Sequence, residues 1–262
     1  MNAKIDWHPI RALAGRVLEQ QQPLELTDDV RALLLRSAQE VAIPLEDAEK
    51  ALRSPRMAKA LLREISRRIR VGSNRLGRAR TRAYRLQDTG DLDGACKQME
   101  DLLAVEVVPL YRQQAENHLK EVLRLKAVAE SGRVDPTLPE RSQIPILLRR
   151  LGQGKALELN YEMLLFLRRA AETVAISEAE IEEALAKPDK AGALLRGSMR
   201  RLREGSKRLE RALERMMSLR DSGDFEGARQ QMRDVLAVEV IPIFRRAAEE
   251  NLASLDEPSR AP

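Results

Sequence analysis

Residues 103–111 read LAVEVVPLY, and residues 236–244 read LAVEVIPIF. In both segments an apolar run carries one glutamate in its middle and one proline two residues before its end. The segments are 133 positions apart, and at this offset the chain repeats itself without a gap. Between Leu86 and Glu116, 18 of 31 residues are identical in the second copy. We therefore predict that the chain is a tandem duplication of one structural unit.

The repeat predicts two domains joined by a linker. The first copy is expected over residues 1–130 and the second over residues 143–256. Residues 131–142, SGRVDPTLPERS, are polar and contain two prolines, which is typical of a linker. A chain of 262 residues is long enough for two ordinary domains.

The composition predicts a globular helical protein with a highly charged surface. Hydrophobic residues make up 43% of the chain, charged residues 33% and aromatic residues 3%. No apolar run approaches the roughly 18 residues that a membrane span needs, and the N-terminal MNAKIDWHPI lacks the pattern of a secretory signal. The single cysteine, Cys96, excludes an internal disulfide. We expect a cytoplasmic protein without a membrane span.

Helix signals predict that each copy consists of a head of three short helices and a long antiparallel hairpin. In the first copy we expect helices over 8–20, 28–40 and 45–53, then a long helix over 55–87. After a turn at Thr89-Gly90-Asp91, one fifth helix is expected to run from about 93 to about 125. The fold class is therefore an all-α tandem repeat of two helical domains.

The long helix carries an apolar seam whose residues are spaced alternately by three and four positions, as in a coiled coil. The seam consists of Leu62, Ile65, Ile69, Gly72, Leu76, Ala79, Ala83 and Leu86. The second copy repeats this pattern, so we expect a coiled-coil hairpin in both copies.

The repeated glutamate is expected to lie at the seam. In a hairpin folded about residue 90, Glu106 lies opposite Gly72 and Ser73. An unpaired buried carboxylate costs several kcal/mol, so we expect the serine hydroxyl and a nearby arginine to satisfy it. The glycine would allow close approach, and the proline would kink the helix. An alternative is a ligand pocket at the kink. The predicted seam site consists of Gly72, Ser73, Glu106 and Pro109, with Gly205, Ser206, Glu239 and Pro242 in the second copy.

Basic residues are concentrated in the long helices. Residues 55–86 contain eleven Lys or Arg against Glu64 alone, and residues 188–219 contain nine against four acidic residues. In one interpretation these side chains bind phosphates. In the other they pair with the acidic short helices of the same chain or face solvent. The candidate anion-binding residues are Arg63, Arg67, Arg70, Arg75, Arg78 and Arg82.

No motif for catalysis, a cofactor or a metal was found, and we expect none of the three. His8 and His118 do not recur in the second copy, and both are expected on the surface. The segment VAIPLEDAEKAL has the outline of a helix-turn-helix. Its second helix would carry Glu46, Asp47 and Glu49, which DNA phosphates would repel.

Several motifs of the first copy resemble one known family. They are DWHPIRALAGRVLEQQQPLEL, VAIPLEDAEKALRSP, GSNRLGRA, GDLDGA and LAVEVVPLYRQQAE. Together they resemble the DUSAM domain, a paralogous family of uncharacterised myxobacterial proteins. The resemblance covers nearly all of the first copy, whereas the opening of the second copy, IPILLRRLGQGKALEL, departs from it. The resemblance implies common ancestry and no particular activity.

Two functions remain open on the sequence. The first is a non-catalytic scaffold or adaptor that binds a protein partner through helical faces and that could also form a homodimer. The second is a basic nucleic-acid-binding protein, although Tyr84 is the only aromatic residue of its long helix, so a stacking platform is missing. Whether the arginines are free discriminates between the two. Because the first long helix is the more basic, we also expect the two copies to have different partners.

Overall fold

The structure is a computed structural model that describes residues 5–186 and 188–256. Within these residues all regular secondary structure is helical. The chain divides into two compact units between Leu123 and Arg124, inside the sixth α-helix. The predicted all-α fold of two tandem helical domains is confirmed.

The first copy contains six α-helices and one π-helix. They are α1 (His8–Ala14), the π-helix (Gly15–Glu19), α2 (Asp28–Glu40), α3 (Leu45–Ala51), α4 (Pro55–Thr89), α5 (Leu92–Val105) and α6 (Pro109–Ser131). The second copy contains α7 (Glu140–Gly152), α8 (Tyr161–Glu172), α9 (Glu178–Leu185), α10 (Pro188–Asp221), α11 (Phe225–Val238) and α12 (Pro242–Asp256). A membrane span is not among them, since no helix in the described part of the chain is both long and apolar enough.

Local capping explains where the first long helix begins and ends. The Ser54 hydroxyl accepts the N–H of Met57 at 3.3 Å, and Pro55 follows at the first helical position. The helix ends at Gly90, whose φ of 84° is left-handed. Asp91 then caps α5 by accepting the N–H of Gly94 at 2.8 Å.

In the first unit α4 is the central element. The helices α1, α2 and α3 all pack against it, and α5 lies along its second half. Leu62, Ile65 and Met99 are fully buried in this core. Each such side chain contributes about 1.5–3 kcal/mol through burial. The second unit has the same plan, with α7, α8 and α9 packed on α10, and α11 along its second half.

The single fifth helix predicted for each copy is wrong. Residues 106–108 are not helical, and they separate α5 from α6. Pro109 disfavours a helical conformation at the preceding residue and begins α6 instead. The chain also reverses here: Tyr111 bonds to Ile69 and His118 to Gln87, so α6 runs in the same direction as α4. Each hairpin is therefore extended by a third helix.

Candidate functional site

The repeated glutamate caps the break between two helices. Glu106 is 2% exposed, and its Oε1 accepts the N–H groups of Val107 at 3.1 Å and Val108 at 2.9 Å. Glu239 is 1% exposed and accepts from the next two residues at 3.0 and 2.9 Å. These amides lie outside the helical ladder and would otherwise be unsatisfied. The carboxylate is therefore part of the chain reversal.

An arginine completes the same break from the other side. Arg112 donates to the carbonyls of Leu103 at 2.6 Å and Glu106 at 2.8 Å. Arg245 donates to the equivalent carbonyls of the second copy, both at 2.7 Å. The sequence prediction missed this pair, although both arginines recur at the offset of 133 residues.

The second carboxylate oxygen differs between the copies. Oε2 of Glu239 accepts from Arg208 at 2.5 Å, as predicted for an arginine partner. Oε2 of Glu106 is 3.9 Å from Nη1 of Arg75 and has no hydrogen-bond partner among the described residues. The predicted serine partner is wrong, since Ser206 donates to Glu210 and Glu106 accepts from the backbone.

The seam glycines admit an aromatic ring as well as the carboxylate. A Cβ at Gly72 would lie 2.5 Å from the Tyr111 ring and 3.0 Å from Oε1 of Glu106. A Cβ at Gly205 would lie 2.5 Å from the Phe244 ring and 3.1 Å from Oε2 of Glu239. The space in which we considered a ligand pocket therefore contains an aromatic side chain in both copies. Pro109 and Pro242 begin the helices that carry these rings.

Some arginines of the long helices have structural partners. Arg68 donates to the carbonyls of Val41 and Ala42 at 3.0 and 2.8 Å, and Arg201 makes the equivalent bonds in the second copy. Arg67 and Arg68 both bind Glu64, and the hydrogen bond from Arg67 lowers the pKa of Glu64 to about 2.

Most of the other cations of α4 have no intramolecular partner among the described residues. They make neither a hydrogen bond nor an ion pair with a described residue. This group consists of Arg56, Lys59, Arg63, Arg70, Arg78, Arg82 and Arg85. The acidic residues expected to face them pair mostly within the heads: Glu46 binds Lys50, while Glu178 and Glu182 bind Arg168. Glu183 does bind Lys190 of α10.

Six exposed arginines of the first long helix are retained in the second copy. Arg63, Arg67, Arg70, Arg75, Arg78 and Arg82 correspond to Arg196, Arg200, Arg203, Arg208, Arg211 and Arg215. None of the six belongs to the buried seam of the helix. Other basic positions of the helix have changed: Lys59 corresponds to Gly192 and Arg85 to Ser218. A surface that only keeps the protein soluble tolerates such exchanges, so solvation does not explain six retained guanidinium groups.

The six candidate anion-binding residues are divided between two grooves. Arg63, Arg67 and Arg70 line a groove of about 750 Å³ between α4 and the segment formed by α1 and the π-helix. Arg78 and Arg82 line a second groove of about 450 Å³ further along α4, and Arg75 lies nearest to α5, with its Nη1 3.5 Å from the carbonyl oxygen of Val105. The structure therefore does not bring all six together.

The equivalents of Arg75, Arg78 and Arg82 line a groove of about 440 Å³ between α10 and α11. We call this groove, and the corresponding positions of α4 and α5, the hairpin groove. Seven of its ten lining residues are identical in the first copy. The first-copy residues are Arg75, Arg78, Ala79, Arg82, Gln98, Asp101 and Val105. There, Nη1 of Arg75 lies 3.5 Å from the carbonyl oxygen of Val105, which places the two walls of the groove side by side.

Exposed valines lie at the end of each hairpin groove. Val105 is 57% exposed and Val238 is 61% exposed, and Val107 and Val240 on the far side of the glutamate are exposed as well. Single exposed apolar residues are common on protein surfaces. The same two exposed valines recur in both copies, at equivalent positions on the two sides of the glutamate.

The described residues offer little that resembles a catalytic centre. Within 5–186 and 188–256, no three His, Cys, Asp or Glu side chains are placed to hold a metal ion. The predicted surface position is wrong for His118, which is 5% exposed and shares a 3.0 Å hydrogen bond with Gln87. Burial lowers the pKa of His118. His8 is exposed.

Residues 5–122 and 139–255 each match a family described as "Protein of unknown function (DUF2379)". The chain is thus a tandem all-α protein, and it belongs to this family with two copies of the family domain. No similar curated protein and no similar solved structure was found.

Proposed function

We propose that the protein is a non-catalytic helical adaptor that binds a protein partner through the hairpin groove of each copy. The observation that supports this function is the retention of the groove lining, with seven of ten residues identical. Burial explains why the seam residues are retained. It does not explain the retention of exposed residues such as Arg78, Arg82 and Val105. Arginine next to exposed apolar side chains is typical of protein–protein interfaces.

Affinity purification with matched variants tests this function. The full chain would be tagged and used to recover partners from nuclease-treated native lysate. The groove variant is Val105→Asp with Val238→Asp, which changes the net charge by about −2 at neutral pH. The control is Arg56→Asp, which produces the same charge change outside the groove and introduces the residue of the second copy.

We expect a partner that is recovered with the unmodified chain and with the control but is lost with the groove variant. Recovery of the same proteins in equal amounts with all three chains would count against the groove as the binding surface. Circular dichroism would establish that each variant keeps its helical content.

A basic nucleic-acid-binding protein is the second candidate, and the unpartnered cations of α4 favour it. Binding to phosphates releases counterions, so the affinity would fall steeply as salt rises. Fluorescence anisotropy with labelled duplex DNA and RNA, at low and near-physiological salt, tests this candidate. Absence of binding even at low salt would exclude it.

We further propose that the chain belongs to the DUSAM family and that the protein is located in the cytoplasm. The motifs GDLDGA and LAVEVVPLYRQQAE support the assignment to the DUSAM family. An alignment of the two families tests this assignment. It would be contradicted if these motifs did not align with each other in the two families. The single cysteine supports a cytoplasmic location, which cell fractionation would test.

A further inference from the structure

We propose that each hairpin groove binds an acidic amphipathic helix, so that the chain is bivalent for one class of partner segment. This inference rests on the proposed adaptor function and specifies the chemistry of the partner. It is carried by the charge of the groove wall, by the apolar residues between the walls and by the near identity of the two grooves.

The long-helix wall of the groove presents a row of arginines. Arg75, Arg78 and Arg82 are spaced at i, i+3 and i+7, so they share one face and extend over roughly 10 Å of helix. Arg208, Arg211 and Arg215 repeat this row, in which Arg208 already donates to the buried Glu239 and Arg211 and Arg215 remain for a ligand. The planar guanidinium group binds carboxylates through two parallel hydrogen bonds. The opposite wall carries one acidic residue, Asp101 or Asp234, so positive charge is in excess in both grooves.

The residues between the walls are apolar. Ala212 and Val235 are buried, and Val238 at the end of the groove is exposed. A partner helix with apolar residues at i, i+3 or i+4 and i+7 can cover the exposed Val238, or Val105 in the first copy, and carboxylates beside its apolar stripe can reach the arginines. A nucleic acid would neutralise the arginines but leave the valines uncovered. The groove lining also has no aromatic side chain on which bases could stack.

The two grooves are expected to bind the same class of segment. This differs from the expectation that a more basic first copy has a different partner. The basic positions that changed to Asp189, Gly192 and Ser218 in the second copy are not among the residues that line the groove. Two lining residues do differ in charge, since Glu204 and Lys207 replace Val71 and Asn74, but these two charges cancel. A partner with two acidic helices would be held more tightly than either helix alone, because the second contact forms at a high effective concentration.

Calorimetric titration of the full chain tests the inference. The probes are a set of stapled helical peptides that carry a glutamate stripe beside a leucine stripe. We expect two peptides per chain. Arg78→Gln with Arg82→Gln should leave one site, and adding Arg211→Gln with Arg215→Gln should leave none. Each pair should weaken its site by about tenfold or more, since charge-assisted hydrogen bonds are lost.

The matched control is Arg63→Gln with Arg70→Gln. It removes the same charge from two exposed residues of α4 that lie outside the hairpin groove and have no partner among the described residues. Both peptide-binding sites should therefore remain. Glutamine is a good helix former, so α4 should be preserved in every variant. Equal weakening by the control and the groove variants would overturn the assignment of the site.

Three results would overturn the partner chemistry. One is that no peptide of the set binds. The affinity purification with matched variants would then still test the adaptor function independently. Another is that peptides with lysine in place of glutamate, or alanine in place of leucine, bind equally well. The third is that duplex DNA binds the same arginines and displaces the peptides, while the double variant Val105→Ser with Val238→Ser leaves the affinity for DNA unchanged. That result would identify a nucleic acid as the ligand of the groove.

Discussion

Glu106 and Glu239 are alike in one carboxylate oxygen and differ in the other. In both residues Oε1 accepts two backbone N–H groups, whereas among the described residues Oε2 is hydrogen-bonded only in Glu239, by Arg208. Replacing each glutamate by glutamine keeps the first oxygen and removes the charge. The two copies therefore form a matched pair for measuring what the arginine contributes.

We expect Glu239→Gln to lower the free energy of unfolding by about 1–3 kcal/mol, because an amide donor would face the donor groups of Arg208. Glu106→Gln should cost less than about 1 kcal/mol, because its Oε2 has no hydrogen bond to lose. Urea unfolding followed by far-UV circular dichroism would measure both. Equal losses would show that the ion pair with Arg208 contributes nothing specific.

Gly72→Ala should destabilise the first copy by about 1–3 kcal/mol through overpacking, because the new Cβ would meet the Tyr111 ring at 2.5 Å. The fluorescence of Trp7 is a suitable readout, since Trp7 is the only tryptophan and its ring lies 5.4 Å from that of Tyr111. Gly77→Ala in the same helix is the control. Its Cβ would meet nothing within 4 Å, so it should stabilise by about 0.5–1 kcal/mol. Destabilisation by both substitutions would contradict the packing explanation.

The burial of His118 predicts that the folded protein loses stability in mild acid. Burial lowers the pKa of His118 in the folded state, whereas the unfolded state takes up a proton near its ordinary pKa of about 6.5. Stability should therefore fall as the pH drops below about 6.5, until the folded pKa is reached. His118→Asn, which introduces the residue of the second copy, should reduce this pH dependence. Unfolding free energies of both chains measured across this range would decide, and identical pH profiles for the two chains would contradict the prediction.

At the scale of the helices, capping residues made the starts of α2 and α4 predictable. Thr27 and Ser54 accept the N–H groups that their positions in the sequence indicate. The break between α5 and α6 was not predicted, because a proline inside an apolar run is compatible with either a kink or an end. The break depends on Glu106 and Arg112, which satisfy the backbone groups on its two sides.

A further prediction concerns the break between helices α11 and α12. Arg245→Ala should lower the free energy of unfolding by about 1–3 kcal/mol, because two carbonyls lose a charged donor. Arg246→Ala, at the exposed neighbouring position, should change it by less than about 0.5 kcal/mol. Chemical denaturation of both variants is the measurement. Similar effects of the two would show that the break does not depend on the arginine cap.

At the scale of the whole molecule, the charge distribution bears on self-association. The two long helices are strongly basic, although the net charge of the chain is only +5. A symmetric dimer formed through the hairpin grooves would bring arginines of one chain against the same arginines of the other. Like charges at close range repel, most strongly at low salt.

We therefore expect the protein to be monomeric at low salt when homodimerisation is tested by analytical ultracentrifugation. A dimer at low salt that Val105→Asp with Val238→Asp dissociates would contradict this expectation. It would instead place a second copy of the chain in the groove. The control Arg56→Asp should leave the oligomeric state unchanged.

The sequence alone determined the duplication, the helical class, the capped starts of the long helices and the positions that recur in both copies, including Glu106 and Glu239. These features depend on local propensity and on comparing the two copies, both of which are visible in a one-dimensional pattern. The tertiary structure alone decided that the chain reverses at Glu106, that Tyr111 fills the space beside Gly72 and that Arg78 and Arg82 have no partner in the part of the chain that the structure describes. The physical reason is that hydrogen bonds, ring contacts and ion pairs join side chains more than 30 residues apart, and their geometry depends on how the helices pack.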